Sequence, residues 1–219
     1  MHLAWAAYYE GGSDRAYFDV LLPRIMEEIT LSDGLRQVSI PNAAAVHLGL
    51  KNREVAAVAA EACANAEAFH LLFIHADSGG RAQSSSLDSR GKAYCAAVEA
   101  RCSLRSARCI VMEPRHETEA WVMADPDAVL GALGFRGGRQ ALALPADADE
   151  AERLVDPKAT LKNAVNAVRN RRACRGDADL FTAIAQRQAI DRLRGAASFR
   201  SFEGALRGGL ADLGCIAPS

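Results

Sequence analysis

No run of about 18 consecutive apolar residues occurs in the chain, which argues against a membrane-crossing helix. The opening Met1-His2-Leu3-Ala4-Trp5 lacks the basic cluster and long apolar stretch of a secretory leader, so the expected address is the cytoplasm. Neither sign of charge is in excess. The net charge of −1 excludes a generally basic nucleic-acid coat and an acidic tail protein. The cysteines at 63, 95, 102, 109, 174 and 215 form no C-x-x-C pair, which excludes a zinc ribbon and a thioredoxin-type motif. In a reducing compartment they are expected to serve as small buried hydrophobes. G-x-G-x-x-G and G-x-x-x-x-G-K-[ST] are missing, which excludes a dinucleotide fingerprint and a P-loop. G-x-S-x-G is missing too, and neither Ser13 nor Ser86 has an activating base evident in the sequence.

The 219 residues suit one domain with at most a small appendage, and half are hydrophobic, enough for a buried core. Residues 2–9 read as a short buried strand that ends at Glu10-Gly11-Gly12-Ser13. Ser13 is a candidate N-cap with Asp14 in the first turn, and Phe18, Leu21, Leu22, Ile25 and Ile29 recur at helical spacing. Pro23 is expected to kink or break that helix. A second strand is expected over 36–40, a helix over 52–68, and a strand buried on both faces over 70–76. A helix near 89–102, a strand over 107–112 and a helix over 117–125 follow. The Gly-, Ala- and acid-rich stretch 134–150 reads as a surface loop, and helices are expected over 158–172, 178–195 and 199–213. This alternation predicts an α/β fold, a mainly parallel sheet flanked by helices with a helical C-terminal part. The expected division is a core over 1–133, an acidic, Gly-rich loop over 134–157 and helices over 158–219.

Ligands of open parallel sheets sit beyond the carboxyl ends of the strands. The first strand delivers Glu10 there, the third His75 and Asp77, and the fourth leads to Glu117 and Glu119. Carboxylates crowded on one edge require a cation or a shared proton. Hard oxygen donors suit Mg²⁺ or Mn²⁺, and a histidine tilts the set toward Mn²⁺ or Zn²⁺. Each residue also has a plainer reading. Glu10 serves as a turn or cap residue, His75 as a hydrogen-bonded structural histidine, Asp77 as the start of an Asx turn and Glu117 as a first-turn helix charge.

Glu10-Gly11-Gly12-Ser13-Asp14 ahead of an amphipathic helix resembles the E-G-x-[ST]-[DE] opening of Toprim-like domains, and His75-Ala76-Asp77 sits where those domains carry a D-x-D pair. Glu117-Thr118-Glu119-Ala120-Trp121-Val122-Met123-Ala124-Asp125 is similar to the E-x-E-A-W-x-x-A-D signature of the DUF4276 family, grouped with the RloB-like and overcoming-lysogenization-defect-type (OLD-type) Toprim proteins. Asp156-Pro157-Lys158, Ile184-Ala185 and Ala197-Ser198-Phe199-Arg200-Ser201-Phe202 resemble its C-terminal pattern. The resemblance implies a Toprim-like fold and Mg²⁺- or Mn²⁺-dependent phosphodiester hydrolysis by a nuclease or nuclease subunit. It also implies an ATPase partner encoded alongside, in a phage-defence setting. Carried over, Glu10 is the general acid/base and Asp77 its catalytic companion and metal ligand. Glu10, His75 and Glu119 complete the implied metal set. His75 departs from the family pattern by placing a neutral imidazole where an anion is expected. The alternative is a catalytically silent Toprim-like module that binds nucleic acid or a partner protein.

Charge is unevenly divided. Residues 1–150 carry 14 Lys/Arg against 20 Asp/Glu, a net of −6, whereas residues 151–219 carry 12 against 7, a net of +5. Lys158, Lys162, Arg169 and Arg172 fall on one side of a helix and are candidate phosphate contacts. The competing reading is a solvated face, or one paired with Asp147, Asp149, Glu150, Glu152 and Asp156. No aromatic residue interleaves them, so base stacking is not expected there.

Overall fold

The structure is a computed structural model that describes residues 1–49, 54–76, 90–102, 104–169 and 177–218. Four strands, Trp5–Tyr8 (β1), Val46–Leu48 (β2), Leu71–His75 (β3) and Cys109–Met112 (β4), form one sheet in the order β2-β1-β3-β4. Every neighbouring pair is parallel. The chain steps from β1 to β2 on one side and to β3 and β4 on the other. The strand order therefore reverses between β1 and β3, the place where open parallel sheets bind their ligands, beyond the carboxyl ends of the strands.

The described helices are Gly12–Asp33 (α1), Val55–Ala64 (α2), Arg90–Cys102 (α3), Thr118–Val122 (α4), Pro126–Leu133 (α5), Ala148–Glu152 (α6), Pro157–Arg169 (α7), Asp177–Arg187 (α8), Ile190–Leu193 (α9) and Ala197–Asp212 (α10). Successive strand side chains point to opposite faces. Trp5, Ala7, Leu71 and Phe73 therefore join Phe18, Leu21, Leu22 and Ile25 of α1 and Phe199, Phe202 and Leu206 of α10 in the larger core. Ala6, Tyr8, Leu72 and Ile74 meet Val58 of α2 and Tyr94 and Val98 of α3 in the smaller one. No described helix is long and apolar enough to cross a membrane.

Several expectations are corrected. Residues 36–40 form no strand. Ser39 makes a single parallel bridge to His2, upstream of β1, and the second strand is Val46–Leu48, after Pro41. Pro23 neither breaks nor ends α1, which runs through it to Asp33 with Pro23 itself buried. Packing on both sides outweighs one missing backbone hydrogen bond. The N-cap of α1 is Gly11, and Ser13 lies inside the helix.

The stretch 134–150 is not a surface loop. A 3₁₀ turn over Arg139–Leu142 and the helix α6 bury Leu142, Leu144, Ala148 and Ala151 in the larger core. That core runs from Leu3 to Ile216 and includes the C-terminal helices.

The helix expected over 178–195 is interrupted at Gln188 and Ala189, where the Gln188 side chain and the Ala189 amide are held by three hydrogen bonds. Tyr17 Oη donates to Gln188 Oε1 at 2.6 Å, Gln188 Nε2 donates to the Trp121 carbonyl at 2.6 Å, and the Ala189 amide donates to Asp125 at 3.0 Å.

The cysteines are also not all thiols. Cys63 pairs with Cys102, tying α2 to α3, and Cys95 pairs with Cys109, tying α3 to β4. Cys215 is a buried free thiol, and Cys174 lies outside the described residues.

Candidate active site

Three strands end on the same rim, and the register fixes what stands there. Tyr8 pairs with Ile74, so Tyr9 and Glu10 continue alongside His75 and Ala76. His75 pairs with Met112, so Glu113 follows at the end of β4. The turn after Glu113 leads to Glu117 and into α4, and α1 begins at Gly12 directly after Glu10 and Gly11.

His75 lies on the α1 face of the sheet and is fully buried. Its ring centroid is 5.1 Å from that of Phe18. Nε2 stands 3.0 Å from Thr118 Oγ1, and Nδ1 stands 3.8 Å from Asp14 Oδ2. The imidazole thus faces a hydroxyl and a carboxylate of the protein itself.

Above it the carboxylates gather. Oε2 of Glu117 is buried without a hydrogen-bond partner among the described residues. Burial, reinforced by the negative charges of Glu117 and Asp14, pushes the Glu119 carboxyl up to about 7, against the opposing pull of its own backbone amide and of Lys158. A carboxyl that titrates near neutrality among other carboxylates can take up or release a proton at physiological pH. Equally, it can surrender its proton to an arriving cation.

Asp77 lies outside the described residues, as do Ser86 and Arg172, and so does the side chain of Arg169. Among the described residues no three His, Cys, Asp or Glu side chains converge closely enough to hold one metal ion. Glu10, His75 and Glu119 all stand at the carboxyl rim, yet these three do not form a ready-made ligand set.

The donors present are of the type that a hard cation takes. They are carboxylate oxygens, one of them buried and without a partner among the described residues, and the Glu119 carboxyl is raised to about 7 chiefly by burial.

Asp14 is the residue that sequence reasoning underrated. It was legible as a helix first-turn charge, whereas its position at His75 and Glu119 depends on α1 starting immediately after the rim.

Much of the Glu117–Asp125 stretch holds the fold together. Ala120, Trp121, Ala124 and Asp125 are buried. Trp121 Nε1 donates to Ser198 Oγ at 2.7 Å, and Asp125 caps α5 through the Ala128 amide and receives the Ala189 amide. Only its two glutamates remain for chemistry.

Lys158 and Lys162 are exposed on α7. Leu161, Ala164, Val165 and Val168 on the opposite side are buried. The acidic residues that precede this helix serve elsewhere. Asp147 caps α6, Glu152 receives the first amides of α10, Asp156 receives the Ala159 amide, Glu150 receives the Ala146 amide, and Asp149 pairs with Arg153. Lys158 is close enough to stabilise the Glu119 carboxylate, so the basic face of α7 adjoins the acidic rim.

Compared with protein-family models, curated proteins and solved structures, the chain matches none.

Proposed function

We propose that this chain is a divalent-metal-dependent phosphodiesterase with a Toprim-like arrangement, acting as a nuclease or nuclease subunit. One observation carries the reading. At the carboxyl rim of a parallel sheet, the Glu119 carboxyl is raised to about 7 by burial and by Glu117 and Asp14. Such crowding costs free energy unless a cation offsets it. Glu119, Glu117, Asp14 and Glu10, which do not converge on one point among the described residues, would have to close around Mg²⁺ or Mn²⁺, with Asp77, outside the described residues, as the further expected ligand. The ion would polarise a phosphoryl oxygen and lower the pKa of a bound water. Lys158 and Lys162 line the approach and draw a polyanion toward a rim that its own carboxylates would otherwise repel. His75 is assigned a supporting role. It carries the turn before α4 through Thr118 and stands behind Asp14.

A second reading is a metal-free module that only binds nucleic acid or a partner. The fully buried imidazole, where Toprim-like domains place an anion, favours it. Calorimetric titration of Mn²⁺ and Mg²⁺ into wild type and Glu119→Gln, with plasmid nicking scored in parallel, separates the two. Saturable Mn²⁺ binding weakened at least tenfold by Glu119→Gln, together with nicking, supports the enzyme. Metal binding indifferent to Glu119→Gln overturns it. Binding of DNA or RNA without metal uptake or nicking leaves the second reading.

A further inference from the structure

A second constellation stands beside the acidic rim, on the side toward β2. Tyr9 Oη donates to Asp19 Oδ1 at 2.8 Å, and His47 Nε2 lies 3.0 Å from both oxygens of the same carboxylate. Arg15 Nε donates to Asp19 Oδ2 at 3.3 Å, and Arg15 Nη2 lies 3.3 Å from His47 Nδ1. An ionised carboxylate only accepts, so His47 carries its hydrogen on Nε2, and Nδ1 is the lone pair that receives Arg15. Burial, and then the charge of Asp19, raises the Tyr9 hydroxyl well above its ordinary value, so Tyr9 remains a donor. One guanidinium is thus gripped at two of its nitrogens, by Asp19 of its own helix, itself held by Tyr9 and His47, and by His47 of β2.

A donor count shows what the grip leaves over. A guanidinium has five N–H groups. One meets Asp19 and one meets His47, and the described residues take no other. Three remain, two on Nη1 and one on Nη2, and one hydrogen from each of these nitrogens makes the kind of parallel pair that a phosphate accepts bidentately. The Arg15 side chain is 57% exposed, against 24% for Asp19. An exposed arginine ordinarily loses rotamer freedom when it binds an anion, whereas here that freedom is already spent. Joining α1 to β2 requires only the His47–Asp19 contact and does not account for a guanidinium held at two nitrogens and still more than half exposed. The place also fits. Arg15 stands in the first turn of α1, next in sequence to Asp14, so its backbone lies at the same rim as the acidic residues.

We propose that Arg15, positioned by His47 and Asp19, is a receptor for a phosphate group of the substrate next to the one the metal centre acts on. The identity of that phosphate as part of a nucleic-acid strand rests on the phosphodiesterase reading, whereas the anion site itself does not. The site supplies the positive group that a flanking phosphate needs where the rim is otherwise acidic.

The test uses the full chain, free of metal, titrated with inorganic phosphate while the Arg15 Nε–H resonance is followed by NMR. A saturable shift of that resonance is expected. Arg15→Ala should weaken phosphate binding at least tenfold, as read by calorimetry. Arg15→Lys should recover only part of it, because the charge returns without the fork. His47→Ala should weaken binding several-fold while leaving the thermal midpoint of the protein far less altered than the affinity. Glu119→Gln, which disables the proposed metal centre, should bind phosphate as wild type does or more tightly. A resonance that never saturates, or equal affinity in wild type and Arg15→Ala, overturns the proposal. Loss of Mn²⁺ binding with phosphate binding intact, or the reverse, shows which of the two readings fails.

Discussion

Oγ1 of Thr118 stands 3.0 Å from Nε2 of His75, joining the last residue of β3 to the first residue of α4 beneath the acidic rim. Both residues are buried. Thr118→Val keeps the shape and removes the hydroxyl, so a ring nitrogen loses this contact in a place that water does not reach. The expected cost is about 1–3 kcal/mol. Urea unfolding should show a lower midpoint with an unchanged slope, and Thr118→Ser should restore most of the loss. A valine variant as stable as wild type would show that the contact contributes nothing.

Glu119 makes stability depend on pH in a direction opposite to that of a salt-bridged carboxylate. Its carboxyl is raised from 4.5 to about 7 in the folded chain, chiefly by burial and then by Glu117 and Asp14. The folded state therefore holds a proton that the unfolded state has released. Its contribution is full below about 4.5 and is lost as pH rises through about 7. Glu119→Gln, which stays neutral, should match wild type near pH 4.5 and exceed it by ~2 kcal/mol at pH 8. A tenfold change in proton affinity is worth about 1.4 kcal/mol, and solvent screening at a partly exposed carboxyl trims the total. Thermal unfolding across that range measures the difference. Curves that remain parallel would mean that Glu119 titrates as an ordinary carboxylate. With Mn²⁺ present, wild type should regain the gap at pH 8 and the Gln variant should not.

Three of the four strands were legible because they are short apolar runs, and 70–76 and 107–112 announce Leu71–His75 and Cys109–Met112 within a residue or two, whereas the short, half-buried β2 (Val46–Leu48) was missed in favour of 36–40. The rim was legible for the same reason, since whatever follows such a strand must stand at its carboxyl end. Contacts that depend on distant partners were hidden. Nothing near Gln188 signals a break in a helix, because the groups that hold it are Tyr17, Trp121 and Asp125. The stretch 134–150 looks like a loop by composition, and only the arrival of α5 and α7 beside the Arg139–Leu142 turn, and of α4 beside α6, gives Leu142 and Ala148 something to bury against. The guanidinium of Arg15 reads as a helix surface charge until β2 brings His47 beside it.

The four paired cysteines predict a stability that responds to reductant. Non-reducing peptide mapping should recover Cys63 linked to Cys102 and Cys95 linked to Cys109, with Cys215 alkylated only after unfolding because it is buried. The pairs span 39 and 14 residues of sequence. In the chain-entropy account each contributes about 3–4 kcal/mol by restricting the unfolded chain. A thiol reductant should therefore lower the thermal midpoint by well over 10 °C, at several degrees per kcal/mol for a chain of this size. Because α3 is tied at both Cys95 and Cys102, the double variant Cys95→Ser, Cys102→Ser should lose nearly all of this response. Recovery of all six cysteines as free thiols from the native protein would reject the pairing.

The last turn of α6 holds the start of α10. Glu152 is buried, its Oε2 accepts the Ala197 amide at 2.8 Å, and its Oε1 accepts the Ser198 amide at 3.0 Å and the Ser198 hydroxyl. Ser198 Oγ in turn receives Trp121 Nε1 at 2.7 Å. The first amides of a helix have no partner within it, and here one carboxylate supplies what an N-cap side chain would, at a point where its charge also meets the positive end of the helix. Ala196, the residue in the N-cap position, has no side chain able to do so. Glu152→Ala should therefore leave two amides and a hydroxyl unsatisfied in the core and cost about 2–4 kcal/mol, read by chemical denaturation. Glu152→Gln keeps one acceptor oxygen and should lose roughly half as much. The damage should pass through Ser198 to Trp121 of α4, whose indole N–H then loses a fixed acceptor, so tryptophan fluorescence should shift in the alanine variant before global unfolding begins. If the alanine variant unfolds at the wild-type midpoint, the start of α10 is held by the packing of Phe199 and Phe202 alone.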